Sequence, residues 1–200
     1  MQISIILAHP DTNSFNHAIA HAAVEKLRQN GHRMVLHDLY AEGFDPLLPK
    51  CEISERASVP KDIDSYCREI SAADGIVIVH PNWWGQPPAI LKGWIDRVIR
   101  PGVAYKFLDG DSGDGVPVGL LRAKAAVVLN TSNTPAQREM AAFGDPLETL
   151  WKNCVFGLCG VTNFHRETFG VVVTSDETQR KEWLGRVREI VDRYFYTDRV

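Results

Sequence analysis

Short apolar, β-branched runs alternate along this chain with segments of helical length and helical periodicity. The predicted strands are residues 3–8, 33–37, 75–80, 124–130 and 168–174, and the predicted helices are residues 14–29, 61–72, 88–99, 146–158 and 176–194. Parallel strands need a long right-handed crossover, usually a helix, so this alternation predicts a doubly wound α/β fold with a five-stranded parallel sheet. We expect one domain over residues 1–200, with the common strand order 2-1-3-4-5.

The charge is nearly balanced, with 22 Lys and Arg against 25 Asp and Glu and a net charge of -3. No basic stripe is present, which argues against nucleic acid or an anionic membrane as a direct partner. The apolar run at residues 3–8 has no basic region before it and is far shorter than the roughly 20 residues of a membrane span. The cysteines show no metal-ligand spacing, and a core of this size needs no disulfides. We therefore expect a cytoplasmic protein without a metal site; its cysteines are Cys51, Cys67, Cys154 and Cys159.

The predicted strand order places a ligand site beyond the carboxyl ends of the first and third strands, where the order reverses. The loop after the first strand offers the imidazole of His9, the hydroxyl of Ser14 and the amide of Asn16. It leads into a helix, whose dipole and unpaired N–H groups favour a phosphate. The alternative is that Ser14 only caps the helix, with His9 and Asn16 at the surface.

The loop after the third strand contains Trp83 and Trp84, and large apolar rings are costly to leave exposed. The rings could be buried against a neighbour or a dimer partner. They could instead stack on a flat aromatic ligand, with the backbone N–H groups of residues 82–85 meeting its polar edge. The loop at residues 130–135 adds hydroxyls and amides at the same edge; such residues are ordinary in turns and count here because of their position.

Other functional motifs are absent or incomplete. No G-x-G-x-x-G follows the first strand, and neither a P-loop nor a G-x-S-x-G elbow occurs in the sequence. Residues 109–115 resemble a calcium loop, but Gly113 takes the third acidic position and Leu120 replaces the closing Glu, so we interpret them as an acidic turn. His17 and His21 are four residues apart on a predicted helix without acidic partners, which favours a helix surface over a metal site.

Several motifs together resemble the flavodoxin-like NAD(P)H:quinone oxidoreductase family, which includes mammalian quinone reductases and bacterial ancillary proteins of potassium-efflux systems. The most specific stretch is PNWWGQPPAILKGWIDRV at residues 81–98, continued by GVAYKF at 102–107. Also similar are AHP at 8–10 with SFN at 14–16, and DLY at 38–40 followed by FDP at 44–46. The resemblance implies a flavodoxin-like fold and two-electron, ping-pong transfer of a hydride from NAD(P)H through a bound flavin to a quinone or similar acceptor.

In that family the first loop contacts the flavin phosphate region, while the third-strand and fourth-strand loops border the isoalloxazine ring. The Tyr and His that relay charge in mammalian members have no counterpart around residues 139–145, where Phe143 stands in the place of the His, so no catalytic acid or base is assigned. The resemblance implies that the flavin-binding residues are His9, Ser14, Phe15, Asn16, Pro81, Asn82, Trp83, Trp84, Gly85, Thr131, Ser132, Asn133 and Thr134.

The resemblance also bears on the cofactor and on partners. Mammalian-type members use FAD, whereas several short bacterial-type members use FMN or either flavin; at 200 residues this chain lacks the C-terminal extension of the longer forms, which favours FMN over FAD. It implies a homodimer with the active site at the interface, where Trp83, Trp84, Trp151 or Phe156 could lie. Azo or nitroaromatic compounds are alternative acceptors. A different class of function stays open: a flavin-binding ancillary subunit that docks on and activates a potassium-efflux transporter.

Overall fold

Five parallel strands form the central sheet in a computed structural model, which describes residues 1–55, 57–108 and 110–196. Their order is β2-β1-β3-β6-β7, which is the predicted 2-1-3-4-5 once the small antiparallel pair β4 and β5 is set aside. The strands are β1 (Gln2–Leu7), β2 (Arg33–Asp38), β3 (Gly75–Pro81), β4 (Tyr105–Lys106), β5 (Val118–Gly119), β6 (Ala125–Ser132) and β7 (Phe164–Gly170).

Helices cover both faces of the sheet, as the alternation predicts. The helices are α1 (Phe15–Gln29), α2 (Lys61–Ala72), α3 (Ala89–Val98), α4 (Ala136–Phe143), α5 (Pro146–Glu148) and α6 (Glu177–Tyr194). Residues of α1 and α6 share one buried apolar cluster, and residues of α2, α3 and the segment after α5 share the other. Alternate β1 residues enter different clusters, Ile5 the first and Ile6 the second, because successive side chains of a strand point to opposite faces.

Capping residues set several helix boundaries where the sequence predicts them. The Ser14 hydroxyl accepts the N–H of His17 at 3.4 Å, and α1 ends at Asn30, followed by Gly31 with φ of 81°. The Asp176 carboxylate accepts the N–H of Gln179 at 2.8 Å at the start of α6. Helix α2 has the predicted bounds, residues 61–72.

The fifth strand is the clearest error of the sequence analysis: it runs over Phe164–Gly170, not residues 168–174. The β-branched residues Val172 and Val173 favour a strand, but Val172–Thr174 is a short 3-10 helix. The true strand carries a charged stretch that includes Arg166 and hides its strand character. It lies at the edge of the sheet, where polar side chains are tolerated.

The region between β6 and β7 also differs from prediction. The predicted helix at residues 146–158 is α5 followed by a π-helix, Thr149–Gly157, in which the Leu158 N–H donates to the carbonyl of Asn153, five residues back, at 3.3 Å. Helix α4 was not predicted, because it has only eight residues and none of them is buried. In the predicted acidic turn, Asp111 accepts the N–H of Gly113 at 2.7 Å; Asp109 lies outside the described residues.

The long connection after β2 is fixed against α3. A Cβ at Gly93 would collide with the backbone of Pro46, so only glycine permits this approach. Arg97 donates to Glu52 through Nη2 at 2.7 Å and Nε at 3.0 Å, with both side chains buried. These contacts hold the connection after β2 against the middle and the C-terminal end of α3. Among the described residues, no helix is long and apolar enough to cross a bilayer.

Candidate functional site

Two adjoining cavities open at the carboxyl edge of the sheet, beyond β1, β3 and β6. We call the one at the start of α1 the helix cavity, with a volume of about 250 Å³, and the other the tryptophan cavity, with a volume of about 490 Å³. Asn82, Ser132 and Asn133 line both. The helix cavity is also lined by His9, Ser14, Phe15, Asn16, Pro81, Trp83, Thr131 and Val172, and the tryptophan cavity by Trp84, Gly85, Thr134, Arg138, Glu139, Phe143 and Pro146.

Every residue that the sequence analysis assigns to flavin binding therefore lies on one or both cavities. The topology explains this convergence, because the three loops follow neighbouring parallel strands. Their binding of a flavin remains a prediction. Sequence reasoning missed four lining residues. Arg138 and Glu139 belong to α4, which was not predicted, Val172 was assigned to a strand, and Pro146 was assigned only to the start of a helix.

The start of α1 offers donors to the helix cavity. In the part of the chain that the structure describes, the backbone N–H groups of Phe15 and Asn16 have no acceptor. Ser14 serves as the cap and also lines the cavity, so the capping and binding interpretations are compatible. The buried Asn16 side chain donates to Thr131 Oγ1 at 2.9 Å, which ties the helix start to β6. These free donors at a helix N-terminus suit a phosphate group.

His9 lies between the helix start and the tryptophan loop. Its Nδ1 accepts the N–H of Asp11 at 3.1 Å, and its ring centroid is 6.0 Å from that of Trp83. Burial lowers the pKa of His9, so the imidazole is disposed to be neutral near pH 7. A neutral ring can take part in stacking and hydrogen bonding without adding a fixed charge.

A tight turn presents Trp84 to solvent. Trp83 and Gln86 exchange backbone hydrogen bonds of 3.1 and 3.0 Å, and the two residues between them have φ of 59° (Trp84) and 70° (Gly85). Positive φ at both central positions is typical of a two-residue hairpin turn and is readily adopted by glycine but not by tryptophan. Trp84 is fully exposed, and Trp83 is 41% exposed. A strained backbone that places an aromatic ring in solvent indicates a functional role.

The backbone donors of this loop are fewer than the sequence analysis expected. The N–H of Asn82 donates to Thr131 O at 2.7 Å, that of Trp83 to Gln86 O, and that of Gly85 to Asn82 Oδ1 at 2.9 Å. Within the described residues, Trp84 alone of positions 82–85 keeps an N–H without an acceptor. The expectation that the whole set meets a ligand was wrong, because the turn consumes its own donors.

A buried polar layer lies directly beneath the tryptophan loop, centred on His80 at the end of β3. His80 is fully buried; its Nδ1 donates to Pro81 O at 2.8 Å, and its Nε2 accepts from Trp151 Nε1 at 2.9 Å and from Asn130 Nδ2 at 2.8 Å. Burial lowers the pKa of His80 to about 4, so the ring is neutral with its proton on Nδ1. In the sequence this histidine ends an apolar strand, and no feature of that pattern sets it apart from the other strand residues. Sequence reasoning therefore gave it no role.

Arg166 of β7 holds the far wall of the tryptophan cavity. Its Nε donates to Glu148 Oε2 at 3.0 Å, its Nη2 donates to Asp145, and its Nη1 donates to Asn130 Oδ1 at 3.2 Å. The guanidinium thus joins the His80 layer to the turn that carries Pro146 into the cavity. The misplaced fifth strand is the reason why sequence reasoning missed it.

Three expectations about single side chains were wrong. Trp151 and Phe156 cannot lie at a dimer interface, because they are 0% and 2% exposed within the core, and Trp151 donates to His80. His17 is not on a helix surface: it is buried and its Nε2 contacts Asp38 Oδ2 at 2.9 Å, while His21 is exposed. The two histidines of α1 therefore point to different environments, which is not the geometry of a shared metal.

Comparisons with known proteins identify the fold. A family model described as flavodoxin-like fold matches residues 1–191. An uncharacterized NAD(P)H oxidoreductase of Haemophilus influenzae is 36% identical over 185 residues, 90% of this chain and 89% of that protein. The solved NAD(P)H:quinone oxidoreductase from Methanothermobacter marburgensis has a TM-score of 0.82 at 27% identity, covering 98% of both chains. An FMN-dependent NADH-azoreductase from Bacillus anthracis, solved in complex with FMN, has a TM-score of 0.77 and covers 96% of this chain and 99% of its own, but at 18% identity it supports the fold alone.

Proposed function

The chain belongs to the flavodoxin-like fold family, and on that premise we propose that it is a flavin-dependent oxidoreductase that passes a hydride from NAD(P)H to a quinone-like acceptor. The observation that carries the proposal is the meeting of all predicted flavin-binding residues on two adjoining cavities. One cavity has free helix N–H groups at its end, and the other has an exposed tryptophan at its mouth. A ligand with a phosphate at one end and a flat ring at the other suits this pair.

The residues present fit a flavin mononucleotide. The N–H groups of Phe15 and Asn16 would hold its phosphate, and the Trp83–Gln86 turn with Thr131 and Asn133 would flank its ring. When bound, the flavin supplies the two-electron chemistry that amino-acid side chains lack. FMN is our proposal for the cofactor, because the helix cavity closes on the start of α1 and provides a terminal-phosphate site; FAD is the alternative.

The chain's own residues then shape the acceptor site. The tryptophan cavity has a volume of about 490 Å³, within the roughly 300–1,000 Å³ typical of small-molecule pockets. Phe143 and Pro146 give it apolar walls, and Arg138 places a cation at its edge. With the flavin ring against the Trp83–Gln86 turn, the rest of this space takes one planar substrate at a time, so NAD(P)H and the acceptor alternate beside the ring. The proposed mechanism is therefore ping-pong.

A homodimer completes the proposal. Trp84 is fully exposed at the cavity mouth, and Leu47, Ile53 and Val116 are other large apolar side chains with more than 60% of their surface exposed. Exposed large apolar side chains are typical of protein–protein interfaces. A cytoplasmic location is also proposed, since none of the four cysteines, all within the described residues, forms a disulfide. No observation in the site favours the transporter-subunit alternative.

Initial-rate kinetics test the shared cavity. NADH oxidation by the FMN-loaded protein, measured at several fixed concentrations of a soluble benzoquinone, should give parallel double-reciprocal lines. Phe143→Ala should raise the KM for the benzoquinone severalfold and change the FMN Kd much less, because Phe143 lines the tryptophan cavity and not the helix cavity, which takes the phosphate. Tyr196→Ala, which removes an exposed aromatic side chain outside both cavities, is the matched control. Intersecting lines with a demonstrable ternary complex would overturn the alternating use of one cavity, and absence of flavin-dependent NADH oxidation would overturn the proposed function.

A further inference from the structure

Ser14, His17 and Asp38 form a hydrogen-bonded chain that leads from the helix cavity into the protein. Ser14 Oγ is 3.0 Å from His17 Nδ1, and His17 Nε2 is 2.9 Å from Asp38 Oδ2. The imidazole is only 7% exposed and does not line the cavity, whereas Ser14 does. The ring has the reverse orientation of the histidine in a serine hydrolase, which contacts its serine through Nε2. This hydrogen-bonded series is therefore not arranged for nucleophilic attack by Ser14.

The contacts fix the position of each proton. The other oxygen of Asp38 accepts the N–H groups of Tyr40 and Ala41, both at 3.2 Å, so the carboxylate acts as an acceptor throughout. The hydrogen on the His17–Asp38 contact must then be on Nε2. In a neutral imidazole Nδ1 consequently carries a lone pair, and the hydroxyl proton of Ser14 points at it. Ser14 in this state presents only lone pairs to the cavity, which repel an anion.

A second proton on His17 reverses the Ser14 contact. Nδ1–H then donates to Ser14 Oγ, and the hydroxyl proton is free to turn into the helix cavity beside the N–H groups of Phe15 and Asn16. The His17 charge stays paired with Asp38. The other charged or titratable groups around His17 are His9 and Asp11 in the loop before α1, His21 on the next turn of α1, and Arg180 of α6, whose guanidinium lies 6.0 Å from the Phe15 ring.

We propose that His17 is a positioning residue for a phosphate monoester: binding of the phosphate takes up one proton on His17, which converts Ser14 from an acceptor into a donor to that phosphate. The inference rests on the proposed function, since the phosphate is that of FMN. The inference adds His17, a residue that does not touch the ligand and that determines how the affinity for FMN depends on pH. Riboflavin has the same ring system and lacks the phosphate, so its binding is not linked to His17.

The test compares FMN and riboflavin binding to the flavin-free full-length protein by quenching of flavin fluorescence between pH 7 and 8.5. The phosphate of FMN is mostly dianionic there, because phosphate monoesters titrate at about pH 6. The ratio of the riboflavin Kd to the FMN Kd should increase as the pH falls, by up to about tenfold per pH unit, the limit for uptake of one proton. Calorimetry in buffers of different ionisation enthalpy should detect that proton directly.

His17→Asn should abolish both the pH dependence of the ratio and the proton uptake, and Ser14→Ala should do the same if His17→Asn fails to fold. His21→Asn, on the exposed side of the same helix, should retain the wild-type slope. FMN binding with a pH-independent ratio, or a wild-type slope in His17→Asn, would overturn this inference and leave the proposed function standing. Failure of both flavins to bind at any pH would overturn the proposed function and this inference with it.

Discussion

The buried ion pair between Arg97 and Glu52 offers a quantitative test of how the connection after β2 is held against α3. Both groups are nearly inaccessible, with side-chain exposures of 5% and 1%, and the carboxylate accepts from both Nε and Nη2. Glu52→Gln removes the negative charge and turns an amide N–H₂ toward guanidinium donors. Breaking one side of a buried pair typically costs about 3–5 kcal/mol. Asp45, 3.7 Å from Arg97 and largely exposed, offsets a little of this, so we expect about 3 kcal/mol.

Thermal unfolding followed by circular dichroism measures the effect. For a chain of this size each kcal/mol shifts Tm by roughly 2–4 °C, so Glu52→Gln should lower Tm by about 6–12 °C. The matched control is Glu177→Gln, which breaks an exposed pair with Lys181 and should shift Tm by less than about 3 °C.

A double variant distinguishes the cost of leaving the Arg97 charge without a partner from the cost of losing the Arg97–Glu52 hydrogen bonds. Glu52→Leu with Arg97→Met removes both charges and should recover much of the loss, because well-packed apolar side chains can replace a buried pair. A Glu52→Gln protein with the same Tm as the Glu177→Gln control would refute the reasoning. So would a double variant that is no more stable than Glu52→Gln.

Three further predictions concern the site. Because His80 has a pKa of about 4 when folded against about 6.5 for a free imidazole, the unfolded chain binds more protons between these pH values. The free energy of unfolding should therefore fall by about 3 kcal/mol from this group as the pH drops through that window, and His80→Asn should show a shallower fall in urea titrations; equal slopes would contradict this. Trp84→Gly relieves a positive φ and removes no buried surface, so stability should hold or rise by about 1 kcal/mol while kcat/KM for the quinone falls; a loss of stability would count against the strain argument. Arg166→Met removes the ion-pair partner of Asp145 and leaves Glu148 with Lys152 alone, 4.0 Å away, so it should cost about 2 kcal/mol in urea unfolding and raise the acceptor KM more than the FMN Kd; an unchanged KM would show that the wall does not depend on Arg166.

The sheet order and most element positions follow from local sequence signals. Helix α2 was predictable to the residue because Pro60 and the β3 run bound it, and α1 and α6 begin at side chains that cap them. The site followed from topology, since loops after neighbouring parallel strands must meet. By contrast, β7 was misplaced because its charged residues are neutralised by groups distant in sequence, such as Glu148 with Arg166.

Side-chain partners could not be predicted in the same way. Whether a loop N–H is free for a ligand depends on the turn geometry, and the Trp83–Gln86 turn uses donors that the sequence analysis assigned to the ligand. The burial of His17 likewise depends on Asp38, which lies one strand away. Periodicity indicates which face of a helix is apolar, but it does not show that a polar residue on that face has found a partner.

The central claim, that the chain binds a flavin and uses it to carry electrons from NAD(P)H, is tested most directly by absorbance spectroscopy of the purified protein. The cofactor is released and identified by chromatography, and spectra are recorded before and after anaerobic NAD(P)H. We predict FMN bands that bleach with NAD(P)H and return when a benzoquinone is added. A colourless protein that also fails to bind added FMN or FAD would contradict the claim and leave a flavodoxin-like fold with another use.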